Sequence, residues 1–411
     1  MNNETPYQKV TIDVEQPLPE IRIPRDHFGI GVFLRRAGKP IGFFQNSFAA
    51  GTVLTPDHLA ALILKRAGAD IVRSGMRKVG TPGDETWPAI TVAICTKDRA
   101  CSLEPCLESL MRVRFREDDA EPKFAVMVVD NAPSDGSTRE LAGKYRSIDY
   151  VVEPKAGLDF ARNTAVLESK GDYVAFLDDD VTVDTAWFAG LRRALRENPE
   201  AVAITGPVMP MELATRAQVL FEERGGFSHG FGTVRHTEDT PGTFTRPCNA
   251  GTFGAGCNMV FSRELVLRIG LFDEALDTGR PLPGGGDLDM LYRVLRTGKP
   301  LVYEGSMAVY HRHRRDYQGL RRQMWTWGLG FMAFLTKTYE HDAASRDKVR
   351  MTVVGFFLHM VRMALLTGLG RWKHQWGVDL SIWEAVGGVQ GLAGEYGRSR
   401  RRIEAIRARH A

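Results

Sequence analysis

Between Ile90 and Asp180 the chain alternates short apolar runs with helical patterns, and that alternation constrains its fold more than any other feature. Ile90–Cys95, Phe124–Asp130, Tyr150–Glu153 and Tyr173–Leu177 read as strands, rich in β-branched and aromatic residues and bounded by polar or turn residues. Leu103–Arg112, a segment beginning at Ser137, and Leu158–Ser169 carry helical spacing between them. A βαβαβαβ order closes with right-handed crossovers into a doubly wound, mainly parallel α/β sheet. Ligands of such sheets sit beyond the carboxyl ends of the strands. There the last apolar run delivers Asp178, Asp179 and Asp180 in succession. Adjacent carboxylates repel and do not all stay ionised without a neutralising cation. Oxygen ligands favour Mg²⁺ or Mn²⁺, which share their remaining positions with substrate phosphates. A solvated acidic turn is the plain alternative for the triplet taken alone.

The 411 residues allow one large domain with smaller attachments, and 43% hydrophobic with 25% charged content is that of a globular protein. Residues 1–85 read as a small accessory α+β module. In it Gly31–Arg36 and Ile41–Phe44 flank a turn, and a helix starts at Thr55-Pro56 and is expected to close at Gly68. Gly80 to Asp84 reads as a linker, residues 86–316 as the α/β domain, and residues 317–411 as a helical region. The apolar window Val353–Gly370 contains His359 and Arg362. A central arginine costs roughly 2.5–3.5 kcal/mol in a bilayer, so a packed or interfacial helix is expected there and not a span.

A net charge of +4 is too small to argue for nucleic acid. Its distribution is uneven: arginines gather from His311 to Arg322 and again from Arg398 to Arg409. Such clusters suit a solvated helix face, phosphates or an anionic membrane surface. Five cysteines without zinc-type spacing read as free thiols in a reducing compartment, and Met1–Gln16 shows no secretory signal.

Five further segments carry candidate chemistry. Asp130 ends the second strand, where a carboxylate can accept from a nucleobase imide or a ribose hydroxyl, or can cap the turn through Asn131 and Ser134. Thr96 and Arg99 follow the first strand and place donors at the same edge, which favours a nucleotide pocket. Arg162 opens the helix before the acidic strand; its guanidinium matches a diphosphate or pairs with an acid. In Gly284-Gly285-Gly286-Asp287-Leu288-Asp289, the glycines permit close approach of a ligand, and Asp287 is either an N-cap or a base. His311 can complete a metal site or touch a diphosphate, or belong to a solvated basic turn.

In order and spacing these segments resemble glycosyltransferase family 2, inverting enzymes of the GT-A fold. The carriers are Thr96-Lys97-Asp98-Arg99, Val129-Asp130-Asn131, Ala161-Arg162-Asn163, Leu177-Asp178-Asp179-Asp180, Asp287-Leu288-Asp289 and Tyr310-His311, over about Ile90 to Gly330. The resemblance implies a divalent metal, Mn²⁺ or Mg²⁺, on Asp178 and Asp180 with His311. It implies a nucleotide-sugar bound by Thr96, Arg99, Asp130, Arg162, Asp178 and Asp179, with Asp287 as general base. The family usually has a glutamate before that aspartate. Gly286 stands there instead, which leaves Asp289 as a second candidate. The closest run to the processive QxxRW motif is Gln318-Gly319-Leu320-Arg321-Arg322, without the tryptophan, so transfer of one sugar per encounter is expected.

The expected partners are a nucleotide-sugar donor, with uridine the first choice of base, and a glycan, lipid-linked or small-molecule acceptor. The tryptophans after Arg315, beside the basic tail, suggest peripheral attachment to the cytoplasmic face of a membrane. A nucleotidyltransferase would need a glycine-rich turn where Thr96–Ala100 stands. A degenerate transferase that binds without turnover is the second reading. Nucleic-acid binding is the weakest, because the basic tail lacks interleaved aromatics.

Overall fold

The computed structural model of the chain describes residues 6–76, 87–114, 124–238, 240, 248–279, 282–370 and 377–410. Its centre is an eight-stranded sheet. From one edge to the other the strands are Val234–His236, Leu301–Tyr303, Ala203–Thr205, Asn258–Ser262, Tyr173–Asp178, Ile90–Thr96, Ala125–Asn131 and Ile148–Glu153. The half from Tyr173 to Ile148 is parallel throughout. The other half is mixed, because Asn258–Ser262 inserts antiparallel between Tyr173–Asp178 and Ala203–Thr205.

Both faces of the sheet are covered, which is why its central strands read as unbroken apolar runs. Val92 and Ile94 face a cluster with Leu103, Leu107 and Leu110 of the helix Ala100–Arg114 and with Trp187 and Leu191 of the helix Trp187–Glu197. Ala93 and Phe176 face the other side, against Ala161 and Ala165 of the helix Leu158–Glu168 and against Met290 and Leu291 of the helix Gly286–Arg296.

A second, three-stranded sheet was not legible in the sequence, and it matters for the site. Val181–Val183 leaves the acidic triplet and pairs antiparallel with Val309–His311, in a register that sets Val181 opposite His311. The N-terminal residues buttress this sheet. Gln8–Asp13, Gly29–Arg36 and Lys39–Ser47 form three strands, with Ala37 and Gly38 in left-handed conformations at the hairpin turn. The Arg35 guanidinium donates to Asp184 at 2.7 Å and to the Tyr310 hydroxyl at 3.3 Å, while Tyr310 donates to Asp184 at 2.8 Å. Tyr310 is thereby fixed one residue before His311.

The helix that begins at Pro56 runs to Met76 and does not stop at Gly68. Apolar contacts continue past the glycine through Ile71, and the Arg36 guanidinium takes the Ile71 carbonyl and the Ser74 hydroxyl near the helix end. The expected linker Gly80 to Asp84 lies outside the described residues.

The C-terminal region is helical as expected, in Tyr317–His341, Arg346–Gly368, Val378–Gln390 and Tyr396–His410. Among the described residues, Ala343–Gly368 is long and apolar enough to cross a membrane, with mean hydropathy 1.6 and 22% of the apolar window buried. Phe334 is buried, Trp325, Trp327 and Phe331 are half-buried, and Trp383 is exposed. Trp372 and Trp376 lie outside the described residues.

Candidate active site

Parallel register gathers the candidate carboxylates at one edge. Thr96 pairs with Asp130 and Cys95 with Asp178, so three strand ends stand side by side. The Thr96 hydroxyl donates to Asp179 at 2.7 Å. Arg99, at the start of its helix, spans two carboxylates, meeting Asp179 and Asp180 each at 2.8 Å. One guanidinium thus offsets part of the charge of the triplet.

The remaining charge shows in the ionisation of the three acids. Burial, with Asp180 close by, pushes Asp178 up to about 7. Burial likewise pushes Asp179 up to about 6, against the opposing pull of Arg99. Asp180 goes the other way: burial raises it, but His311 and Arg99 more than offset this and hold it below the usual carboxylate range. The Oδ1 of Asp180 is buried without a hydrogen-bond partner and lies 3.4 Å from His311 Nε2. Burial depresses His311 to about 4, so the imidazole is neutral at neutral pH.

Behind His311 runs a chain of hydrogen bonds that sequence reasoning missed. His311 Nδ1 lies 3.0 Å from His313 Nδ1, and His313 Nε2 lies 2.6 Å from Glu222. An acceptor-only carboxylate requires the proton on His313 Nε2. In neutral His313 the Nδ1 then accepts, so His311 donates from Nδ1 and keeps the Nε2 lone pair towards Asp180. The network therefore orients His311 as a metal ligand is oriented by its outer partners.

A divalent cation fits this donor set, with an orphaned carboxylate oxygen, a free imidazole lone pair and an adjacent carboxyl poised to ionise. Among the described residues no three such side chains already converge as a cage.

Asp130 is fully buried, and its carboxylate accepts from the Tyr150 hydroxyl at 2.7 Å while Oδ1 has no partner. It does not cap the following turn. That role falls to Asp98, which accepts from the Ser134 amide at 2.8 Å. Burial raises the Asp130 pKa.

A cavity of about 550 Å³ opens beside the triplet, lined by Asp178, His311, Arg162 and Asp287 together with Trp327 and Phe356. Asp287 does not cap its helix, whose N-cap is Gly285 in the left-handed region. Its carboxylate accepts instead from the Gly256 amide at 3.0 Å and from the Leu288 amide at 2.9 Å, which leaves lone pairs free to face the cavity. The structure does not bring Asp289 to the cavity. It is buried, with Lys337 and Arg293 each 2.7 Å from one of its oxygens.

Arg162 lines the cavity but is buried and held by Asp159 at 2.8 Å and Asp277 at 3.2 Å. Asp159 also explains Gly286. A Cβ added there would lie 1.9 Å from Asp159 Oδ2, so an acid on the neighbouring helix fills the space that a side chain at 286 would take. Overpacking of this kind costs about 1–3 kcal/mol. Gly286→Ala is therefore expected to lower thermal stability, and the loss in Gly286→Ala/Asp159→Ala to fall short of the sum of the single losses by roughly 1 kcal/mol or more. Melting curves of the four proteins check this; strict additivity would contradict it.

Residues 91–269 match the model of glycosyl transferase family 2. These residues belong to glycosyl transferase family 2. The chain is a glycosyltransferase, and its relatives carry the same kind of name. It is 28% identical over 241 residues to the glucosyl-dolichyl phosphate glucuronosyltransferase of Haloferax volcanii, covering 54% of this chain and 69% of that one. It is 24% identical over 293 residues to the pre-mycofactocin glycosyltransferase of Mycobacterium tuberculosis, covering 71% of this chain and 56% of that one. In fold, the glycosyltransferase is similar to a mannosyltransferase from Pyrobaculum calidifontis solved with GDP-Man and Mn²⁺, at TM-score 0.50 and 17% identity, covering 82% of this chain and 96% of the other. That likeness establishes the GT-A fold. Asp287, Asp289 and His311 lie beyond the matched stretch; the fold carries Asp287 and His311 to its strand ends.

Proposed function

We propose that this glycosyltransferase moves one sugar per encounter from a nucleotide-sugar, a UDP-sugar in the first instance, to an acceptor hydroxyl with inversion at the anomeric carbon. The observation that carries the reading is the shared cavity: Asp178, His311 and Asp287 all line it, and His311 lies against the orphaned Asp180 oxygen. Asp130 accepts a hydrogen bond from the base or ribose of the donor through its unpartnered oxygen. Arg99 sets its charge beside the donor diphosphate. Asp178, Asp180 and His311 would hold a divalent cation, which when bound supplies Lewis-acid neutralisation of the leaving diphosphate. Asp287 takes the proton of the acceptor hydroxyl as that oxygen attacks from the face opposite the leaving group. One displacement needs one base, and only Asp287 of the two candidate acids faces the cavity.

The acceptor class we favour is lipid-linked, in line with a relative named for glucosyl-dolichyl phosphate. We place the protein peripherally on the cytoplasmic face of a membrane, a placement that five free cysteines suit. The test is release of nucleoside diphosphate from a panel of UDP-, GDP- and TDP-sugars with Mn²⁺ and with chelator. Release from one sugar class with Mn²⁺, abolished by chelator, is expected. Release that ignores the metal would remove its proposed role, and no release with any donor or acceptor would favour binding without turnover.

A further inference from the structure

The helices Arg346–Gly368 and Val378–Gln390 pack against each other and leave a large apolar face uncovered. On the first, Val354, Leu358, Val361 and Leu365 recur at helical spacing and are each more than half exposed. On the second, Ile382, Val386 and Val389 continue the face, and an apolar groove lies between the two ridges. Scattered exposed apolar residues need no explanation, but a contiguous face of two helices does.

The charges on this face are basic. Arg362 is exposed within the first ridge, Arg346 is exposed at its start, and the Arg321 guanidinium sits 5.2 Å from the ring of Trp383 at the rim. The acids on these helices are engaged: Asp347 by Arg350, Asp379 by the Tyr317 hydroxyl and Glu384 by Arg224. The sequence joining the two helices reads Arg371-Trp372-Lys373-His374-Gln375-Trp376, a composition typical of membrane–water interfaces. A twofold dimer through this face would set one basic surface against its copy, whereas anionic headgroups complement it.

The face also adjoins the catalytic cavity. Phe356 and Glu384 line the cavity, while their neighbours Phe357 and Ala385 line the exposed groove, and the two phenylalanine rings are 5.2 Å apart. We infer that this helical pair rests in the plane of an anionic bilayer, and that the acceptor reaches Asp287 from that bilayer past the Phe356–Phe357 wall. The acceptor half rests on the proposed transferase reading; the bilayer half stands on the exposed face alone.

The experiment is flotation of the full chain with phosphatidylcholine vesicles, with and without phosphatidylglycerol, beside the exposed-face variant Leu358→Glu/Val386→Glu. Light scattering gives the oligomeric state of both, and calorimetric titration of UDP with Mn²⁺ monitors the donor site. The wild type is expected to float with the anionic vesicles. The variant is expected to partition about tenfold less or weaker still, with nucleotide binding unchanged. Equal flotation of the two proteins would overturn the inference. So would a wild-type protein that stays in solution, whether as a monomer or as a dimer that the variant splits. Flotation without any nucleotide binding would uphold the bilayer half and overturn the acceptor half.

Discussion

Asp287→Asn is expected to reduce turnover by about two to four orders of magnitude, the range that a positioned general base supplies. The asparagine oxygen still accepts from the Gly256 amide, so the loop packed on this helix start keeps its anchor. Melting temperature and donor affinity should therefore stay close to wild type while the rate collapses. The neighbouring acid gives the contrasting result. Asp289 is enclosed by Lys337 and Arg293, and removing one member of a buried ionic cluster costs about 3–5 kcal/mol. Asp289→Ala is thus expected to melt earlier, with any loss of activity following the loss of folded protein. A folded, fully active Asp287→Asn protein would refute the base assignment, whatever Asp289→Ala does.

Asp180→Ala is expected to have the second large effect. It removes the buried oxygen that no protein group satisfies and the partner facing His311. Charge neutralisation at a leaving diphosphate is worth several kcal/mol, so a fall of about two to three orders of magnitude in turnover is expected. Arg99 keeps its contact with Asp179, which leaves the start of its helix anchored and the fold intact. Loss of Mn²⁺ stimulation should accompany the loss of rate. A variant that turns over slowly but still responds fully to Mn²⁺ would place the cation elsewhere.

Much of this site was legible because the chemistry sits at the ends of strands buried on both faces. Ile90–Thr96, Ala125–Asn131 and Tyr173–Asp178 announce themselves as apolar runs, and their parallel register then forces Thr96, Asp130 and Asp178 together. In the mixed half, Val202–Gly206 and Leu301–Glu304 read as strands and match Ala203–Thr205 and Leu301–Tyr303, but the strand between the halves was hidden. Asn258–Ser262 is five residues long and follows a glycine- and threonine-rich stretch, too short for its period to show. In the small sheet that brings His311 to Asp180, Ala308–Tyr310 reads as strand-like and matches Val309–His311, but its three-residue partner Val181–Val183 was too short to show.

Side-chain partnerships were harder still. Arg162 reads from sequence as a phosphate ligand or a partner of some acid, and the structure ties it to Asp159 and Asp277. The glycine at 286, where the family usually has an acid, left Asp289 as a second candidate base in the sequence. The structure shows an acid occupying the same space from a different helix, a substitution that no local pattern records. Glu222 escaped notice for a similar reason. It bears on the site through His313, across a contact between distant parts of the chain.

The central claim is a donor site that depends on a divalent cation held at Asp180. Calorimetric titration of UDP, with TDP and GDP as controls, with and without Mn²⁺, on wild type and Asp180→Ala tests it most directly. The account predicts nucleotide binding that strengthens with Mn²⁺ in the wild type and loses that dependence in the variant. Equal binding with and without Mn²⁺, unchanged by Asp180→Ala, would contradict it.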